Sequence, residues 1–247
     1  MSKNYTPEEL LTRWEARREL QNIMGKLSQS YLMMEEAQGY ERFWSKREDV
    51  CLGVNDGWYS GAAAVKGYYD ALGEKIQLAS DIIAKAFPEK LAGKTREELY
   101  GVGQIGIKPI DTFVIEIAGD GQTAKGIWSL HGTYADMTPS GPVSYWDWGY
   151  WCADFILEDG AWKIWHFNVY PDLTTPVPDA VFDDSLYAGR TFDDKGNPNE
   201  DHVNFKPDEG RPEGMPEPYG PKSIPFFKPP VPGPYATWTP DEDLPIM

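Results

Sequence analysis

A chain of 247 residues with 23 Lys and Arg against 39 Asp and Glu has a net charge of −16, which excludes a basic surface for wrapping nucleic acid or an anionic membrane. Apolar residues at 41% and charged residues at 25% describe a globular chain able to bury a core, and they exclude wholesale disorder. Ten tryptophans and 14 tyrosines supply aromatic surface that must be packed or used.

The first element is signalled by Thr6-Pro7-Glu8-Glu9, a cap residue followed by proline and acids in the first turn. Apolar residues Leu20, Ile23, Met24, Leu27 and Tyr31 then recur at three and four, the spacing of a helical face turned to a core. Gly39-Tyr40 breaks the pattern. Val50, Leu52 and Val54 alternate like a strand that ends at an Asn55-Asp56-Gly57 turn. Residues 61–72 and 74–87 read as two helices, the second stopped by Pro88. Strands are expected at 110–118 and 124–134, joined by Gly119-Asp120-Gly121, and at 144–157 and 161–170, joined by Glu158-Asp159-Gly160. Helices first and a long antiparallel sheet after them make an α+β fold rather than an alternating one.

The chain divides near residue 172. Sixteen of the 21 prolines lie in 171–247, where helix and central strand cannot propagate, so 173–247 is expected to be an acidic, extended arm. Its Phe226, Phe227, Tyr235 and Trp238 are costly to leave in water, which argues for an arm lying over its own core or a neighbouring subunit. The two cysteines, Cys51 and Cys152, sit in apolar stretches and read as buried free thiols. With a polar N-terminus and no apolar run of membrane-spanning length, the expected location is the cytoplasm, with no membrane partner.

Signatures for dinucleotide, phosphate-loop, serine-hydrolase, zinc-protease and dithiol chemistry are absent, and the three histidines are far apart in sequence. No metal and no cofactor are expected, which leaves a cofactor-free reaction or a binding pocket. In the strand 127–134, Ile127, Ser129, His131 and Thr133 share one face and Trp128, Leu130 and Gly132 the other. In the last strand His166 and Asn168 share a face. Each histidine is either a pocket base or a residue satisfied by a backbone carbonyl. Glu35 and Glu36, flanked by Met33, Met34 and Ala37, are either a solvated helix end or a source of one inward acid. Asp147 and Asp154 lie in an aromatic belt with Trp146, Trp148, Tyr150 and Trp151, a composition that suits a core, a subunit interface or a box for a flat ligand.

Tyr31-x4-Glu36, Phe43-Trp44, the segment from Phe113 to Trp128 and the Asp159-Gly-Ala-Trp-Lys-Ile hairpin leading to His166 resemble the SnoaL-like branch of the nuclear transport factor 2-like superfamily over roughly residues 10–172. The resemblance implies a cone: a curved antiparallel sheet wrapped round helices, with a deep apolar pocket. Scytalone dehydratase and the bile acid dehydratases of this family perform eliminations without cofactor. Carried over residue by residue, their tyrosine and acid fall on Tyr31 and Glu36, their strand base on His131, and a second histidine on Lys108. That last departure turns an imidazole into an ammonium, suited to an oxyanion partner.

The resemblance therefore implies a lyase, dehydratase or isomerase acting on a small hydrophobic oxygenated ring compound, phenolic, polyketide-like or steroid-like. His131 would be the base, Glu36 its orienting acid, and Tyr31 and Lys108 the oxyanion donors. His166, Asn168, Trp151, Asp147 and Ser129 would contact substrate. The same fold also hosts carbon–carbon cleavage of lignin-derived diaryl compounds, non-catalytic ligand binding, and assembly. A homotrimer or homodimer with the arm contributing is expected.

Overall fold

The computed structural model describes residues 5–54, 57–89, 91–138, 141–177, 191–192, 198–199 and 230–239. Helix α1 (Pro7–Leu32) begins where Thr6 and Glu9 close a capping box: the Thr6 hydroxyl accepts the Glu9 N–H at 3.2 Å and the Glu9 carboxylate accepts the Thr6 N–H at 2.8 Å. Ala16, Leu20, Met24 and Leu27 form its buried stripe. Met34, in the left-handed region at φ 53, turns the chain into a 3-10 turn (Glu36–Gln38) and the short helix α2 (Gly39–Phe43).

Strands β1 (Cys51–Val54) and β2 (Gly57–Ser60) pair as an antiparallel hairpin, and Asn55 and Asp56 of the expected turn lie outside the described residues. Helix α3 (Ala62–Ala86) is one continuous helix where the sequence suggests two. Gly73 is not a break; a Cβ there would lie 3.2 Å from the Ala37 Cβ, so the glycine lets α3 pack against the 3-10 turn. Tertiary contact outweighs its weak helix propensity.

Strands β3 (Ile105–Ile107) and β4 (Ile110–Ile117) lead into three long ones: β5 (Thr123–Thr138), β6 (Gly141–Glu158) and β7 (Ala161–Val177). The sheet order is β2-β1-β7-β6-β5-β3, with β4 also on β5. Pairing is antiparallel except for β1 against β7, which is parallel, so the sheet is mixed. Strand β7 continues past residue 172, where the sequence division falls. Bulges interrupt the β6–β7 ladder at Trp148/Gly149 and Asp154/Phe155 and bend it. A two-stranded ribbon, β8 (Thr191–Phe192) with β9 (Pro198–Asn199), stands apart from the sheet.

The helices cover one face of the sheet. Leu20, Met24 and Leu27 of α1 and Val65 and Tyr69 of α3 pack with Trp128, Leu130, Trp151, Phe155 and Phe167 in one core. Side chains of this size contribute about 1.5–3 kcal/mol each when fully buried. Ile127, Tyr150, Cys152 and Tyr170 make a separate cluster on the opposite, outer face. Both cysteines are buried and free. No helix among the described residues is long and apolar enough to cross a membrane.

Of the arm, residues 230–239 lie against the cone as a strap. Tyr235 and Ala236 offer their carbonyls to the N–H groups of Gly119 (2.8 Å) and Asp120 (3.0 Å) in the β4–β5 turn. Trp238 packs 4.6 Å from Trp165 and donates its Nε1 proton to Asp154 at 3.2 Å. Phe226 and Phe227 lie outside the described residues.

Candidate active site

A cavity of about 220 Å³ opens where the end of α1 meets α3 and the strands. Its apolar wall is Tyr31, Met34, Tyr68, Leu72, Ile76 and Ile105, with Tyr134 from β5. Its polar groups are Glu36, Lys75, Gln104, Lys108, Asp147 and Thr174. Each is placed by a local feature of the chain. The left-handed Met34 brings Glu36 to the cavity, where it is 6% exposed. Lys108 sits on the link between β3 and β4, whose carbonyl accepts the Ser28 hydroxyl of α1. Asp147 stands on the helix side of β6, opposite Gly132 on β5.

Lys108 Nζ donates to Asp147 Oδ2 in an ion pair whose side chains are 17% and 11% exposed. Asp147 Oδ1 accepts the Thr174 hydroxyl at 3.2 Å. The ammonium also lies 5.4 Å from the Tyr31 ring centre and 5.6 Å from that of Tyr134, within cation–π range. Burial pushes the Tyr31 phenol well above its ordinary pKa, and the nearby phenols of Tyr68 and Tyr69 and carboxylates of Glu36 and Asp147 push the same way. Tyr31 is therefore a neutral donor at physiological pH. A fixed cation, a neutral phenol and carboxylates on one cavity can polarise a carbonyl and exchange protons with a carbon next to it.

Of the residues singled out in the sequence, Tyr31, Glu36, Lys108 and Asp147 meet at this cavity. Trp151 lies behind it, 1% exposed, with its ring 5.8 Å from Tyr31. The expectation that His131 faces the cone is corrected. Its side chain is 48% exposed on the outer face, and its Nδ1 is 3.7 Å from Asp111. Alternation is the reason: Trp128, Leu130, Gly132 and Tyr134 take the helix side of β5, which leaves Ser129 and His131 on the other.

His166 and Asn168 are likewise on the outer side of β7. His166 Nδ1 is 3.0 Å from Asp154 and Nε2 is 3.1 Å from the Asp49 carbonyl, with Trp165 stacked on the ring. Asn168 is fully buried, close over Gly53 and Trp58. Neither residue lines the cavity. Thr174, Tyr68 and Tyr134 were not legible as site residues, although Tyr134 shares the parity of Trp128. Among the described residues no three His, Cys, Asp or Glu side chains gather as metal ligands.

Helices laid across one face of a curved, unclosed sheet, with a cavity between the two, make an α+β cone, the architecture expected from the sequence. No family model and no curated protein matches the chain. Among solved structures it is similar to a hexachlorocyclohexane dehydrochlorinase, LinA-type3 from Novosphingobium barchaimii, at 15% identity and a TM-score of 0.48, over 70% of this chain and 97% of that one. A putative scytalone dehydratase from Novosphingobium aromaticivorans is similar at 13% identity and a TM-score of 0.48, over 66% of this chain and 89% of that one.

Proposed function

We propose that the protein is a lyase or isomerase that works by acid–base catalysis on a small oxygenated ring compound. The observation that carries this reading is the Lys108–Asp147 ion pair inside a cavity bordered by Tyr31 and Glu36. Both oxygens of Asp147 are committed, one to Lys108 and one to Thr174, so its part is to hold the ammonium in place. Glu36 is the base. It takes a proton from the carbon beside a ring carbonyl, and the electron pair of that C–H bond moves onto the oxygen, giving an enolate held by Lys108 and Tyr31. Return of the proton to a more distant carbon completes an isomerisation. Collapse of the enolate with departure of a β-hydroxyl, protonated by the Glu36 carboxylic acid, completes a dehydration and releases water.

Two competing readings are less favoured. A protein that only assembles through its aromatic sheet has no use for a cavity that could hold about seven waters at roughly 30 Å³ each. Carbon–carbon cleavage through a lysine imine needs a lysine nitrogen free to attack the substrate, whereas that of Lys108 is engaged by Asp147.

The test is conversion of a β,γ-unsaturated cyclohexenone to its conjugated isomer, followed by absorbance. Turnover should fall at least about 100-fold in Glu36→Gln and in Lys108→Met. His131→Ala should retain full turnover. Binding of the enone without conversion by the unaltered chain would make the protein a binding module instead. In the oligomeric reading, which we also propose, the outer face carrying Trp146 and Trp148, 43% and 49% exposed, joins copies of the chain. Sedimentation of the full chain as a monomer at micromolar concentration would reject it.

A further inference from the structure

We infer that the cavity takes a single ring, bound through one phenolic or enolic oxygen that Lys108 holds as an anion. The inference rests on the acid–base reading above and narrows its substrate class, setting aside the diaryl and steroid-like members.

Size is the first argument. An apolar cavity of roughly 150 Å³ is enough for one benzene ring, and sites for drug-sized ligands run to roughly 300–1,000 Å³. At about 220 Å³ this one fits a ring with small substituents. Rigidity is the second. Every aromatic wall residue is backed by another ring: Tyr31 by Trp151 at 5.8 Å, Tyr68 by Tyr59 at 5.0 Å, and Tyr134 by Tyr145, stacked at 4.8 Å. Trp151 is in turn wedged against the edge of Phe167 at 5.3 Å. Enlarging the cavity means displacing close-packed rings, which costs free energy in proportion to the overpacking.

Charge and direction are the third. An ammonium has three N–H donors, and Asp147 accepts from one of them. Lys108 also lies within cation–π range of Tyr31 and Tyr134, two of the rings that wall the cavity. An oxygen bound to this nitrogen therefore carries its ring in between those walls. The neutral Tyr31 phenol can add a second donor. A cationic ligand would meet Lys108 head-on, whereas an oxyanion completes it.

The experiment uses the full chain and three probes: para-nitrophenol, a nitronaphthol and a steroidal phenol. Affinity is read by equilibrium dialysis, and the ionisation of bound nitrophenol by its visible band. Para-nitrophenol should bind with its ratio of anion to neutral form raised at least about tenfold over free solution at the same pH, because a cation at contact distance lowers an acid's pKa by at least about one unit. The nitronaphthol and the steroidal phenol should bind at least about tenfold more weakly. In Lys108→Met the extra ionisation should vanish, and the double variant Lys108→Met with Asp147→Leu keeps this test available if the single one fails to fold. Tyr134→Ala should admit the nitronaphthol. Equal or tighter binding of the larger phenols, bound nitrophenol as neutral as in solution, or no binding of any probe would each overturn the inference. Anionic binding of nitrophenol beside a failed enone conversion would sink the reaction and leave the ligand class standing; conversion beside tight nitronaphthol binding would do the reverse.

Discussion

Lys108 and Asp147 belong to segments separated by the whole of β5, and their side chains meet across Gly132, the residue paired with Asp147 in the ladder. Both are largely withdrawn from water, at 17% and 11% exposure. Removing one partner therefore leaves the other as an uncompensated charge. Lys108→Met should lower unfolding stability by about 3 kcal/mol, and the double variant Lys108→Met with Asp147→Leu should recover part of that loss. Urea unfolding of the wild type, both single variants and the double gives the coupling energy directly. A double variant as unstable as the sum of the singles would mean that the two charges do not act as a pair.

Gly132 sets how closely the link carrying Lys108 approaches. A Cβ at this position would lie 2.3 Å from the carbonyl oxygen of Ile107, too close for any real contact. Gly132→Ala must push the β3–β4 link away from β5, at a cost of about 1–3 kcal/mol. Since the displaced link bears Lys108, binding of para-nitrophenol should weaken together with stability. Loss of stability with unchanged binding would show that the link moves without its lysine.

The strap contributes to the cone through one aromatic anchor. Trp238 covers Trp165 and the His166 ring and donates to Asp154, a carboxylate that is 1% exposed. Trp238→Ala should destabilise the protein by about 2 kcal/mol, less than for a fully enclosed tryptophan because Trp238 is half-buried. It should also raise hydrogen exchange at the amides of Gly119 and Asp120, whose acceptors are the strap carbonyls of Tyr235 and Ala236. Exchange unchanged at those two amides would mean that the strap is held without its tryptophan.

The architecture was legible because its signals are local and repeated. Thr6-Pro7-Glu8-Glu9 fixes the start of α1, and two glycine turns fix the β4–β5 and β6–β7 hairpins. The site was legible in part. Strand alternation divides β5 correctly into two faces, but the choice between them followed the histidine, when Trp128 and Leu130 were the better guide to the interior. In the sequence Lys108 stands out only as a departure from a histidine pattern and Asp147 only as part of an aromatic belt, because a link position and a strand position on either side of β5 meet only when the sheet is assembled. Thr174 lies on the stretch of β7 beyond the sequence division, where neighbouring prolines argue against a strand.

Tyr31 links the site to stability at alkaline pH. Burial holds its phenol well above 10.0, with Tyr68, Tyr69, Glu36 and Asp147 adding to the effect. The folded state therefore keeps a proton that the unfolded chain releases, so the stabilisation is complete below 10.0 and falls as pH rises above it, by up to about 1.4 kcal/mol per pH unit for one group. Tyr31→Phe keeps the ring against Trp151 and removes this proton. Its stability should decline less steeply between about pH 10 and pH 11 than that of the wild type, although Tyr69 and Tyr235, also raised by burial, keep the decline from vanishing. Urea midpoints measured across that range, with tyrosinate absorbance followed in parallel, check both halves of the argument. Equal slopes in the two proteins, with a tyrosinate signal from residue 31 appearing while the chain is still folded, would show that Tyr31 ionises freely and is not the neutral donor the cavity requires.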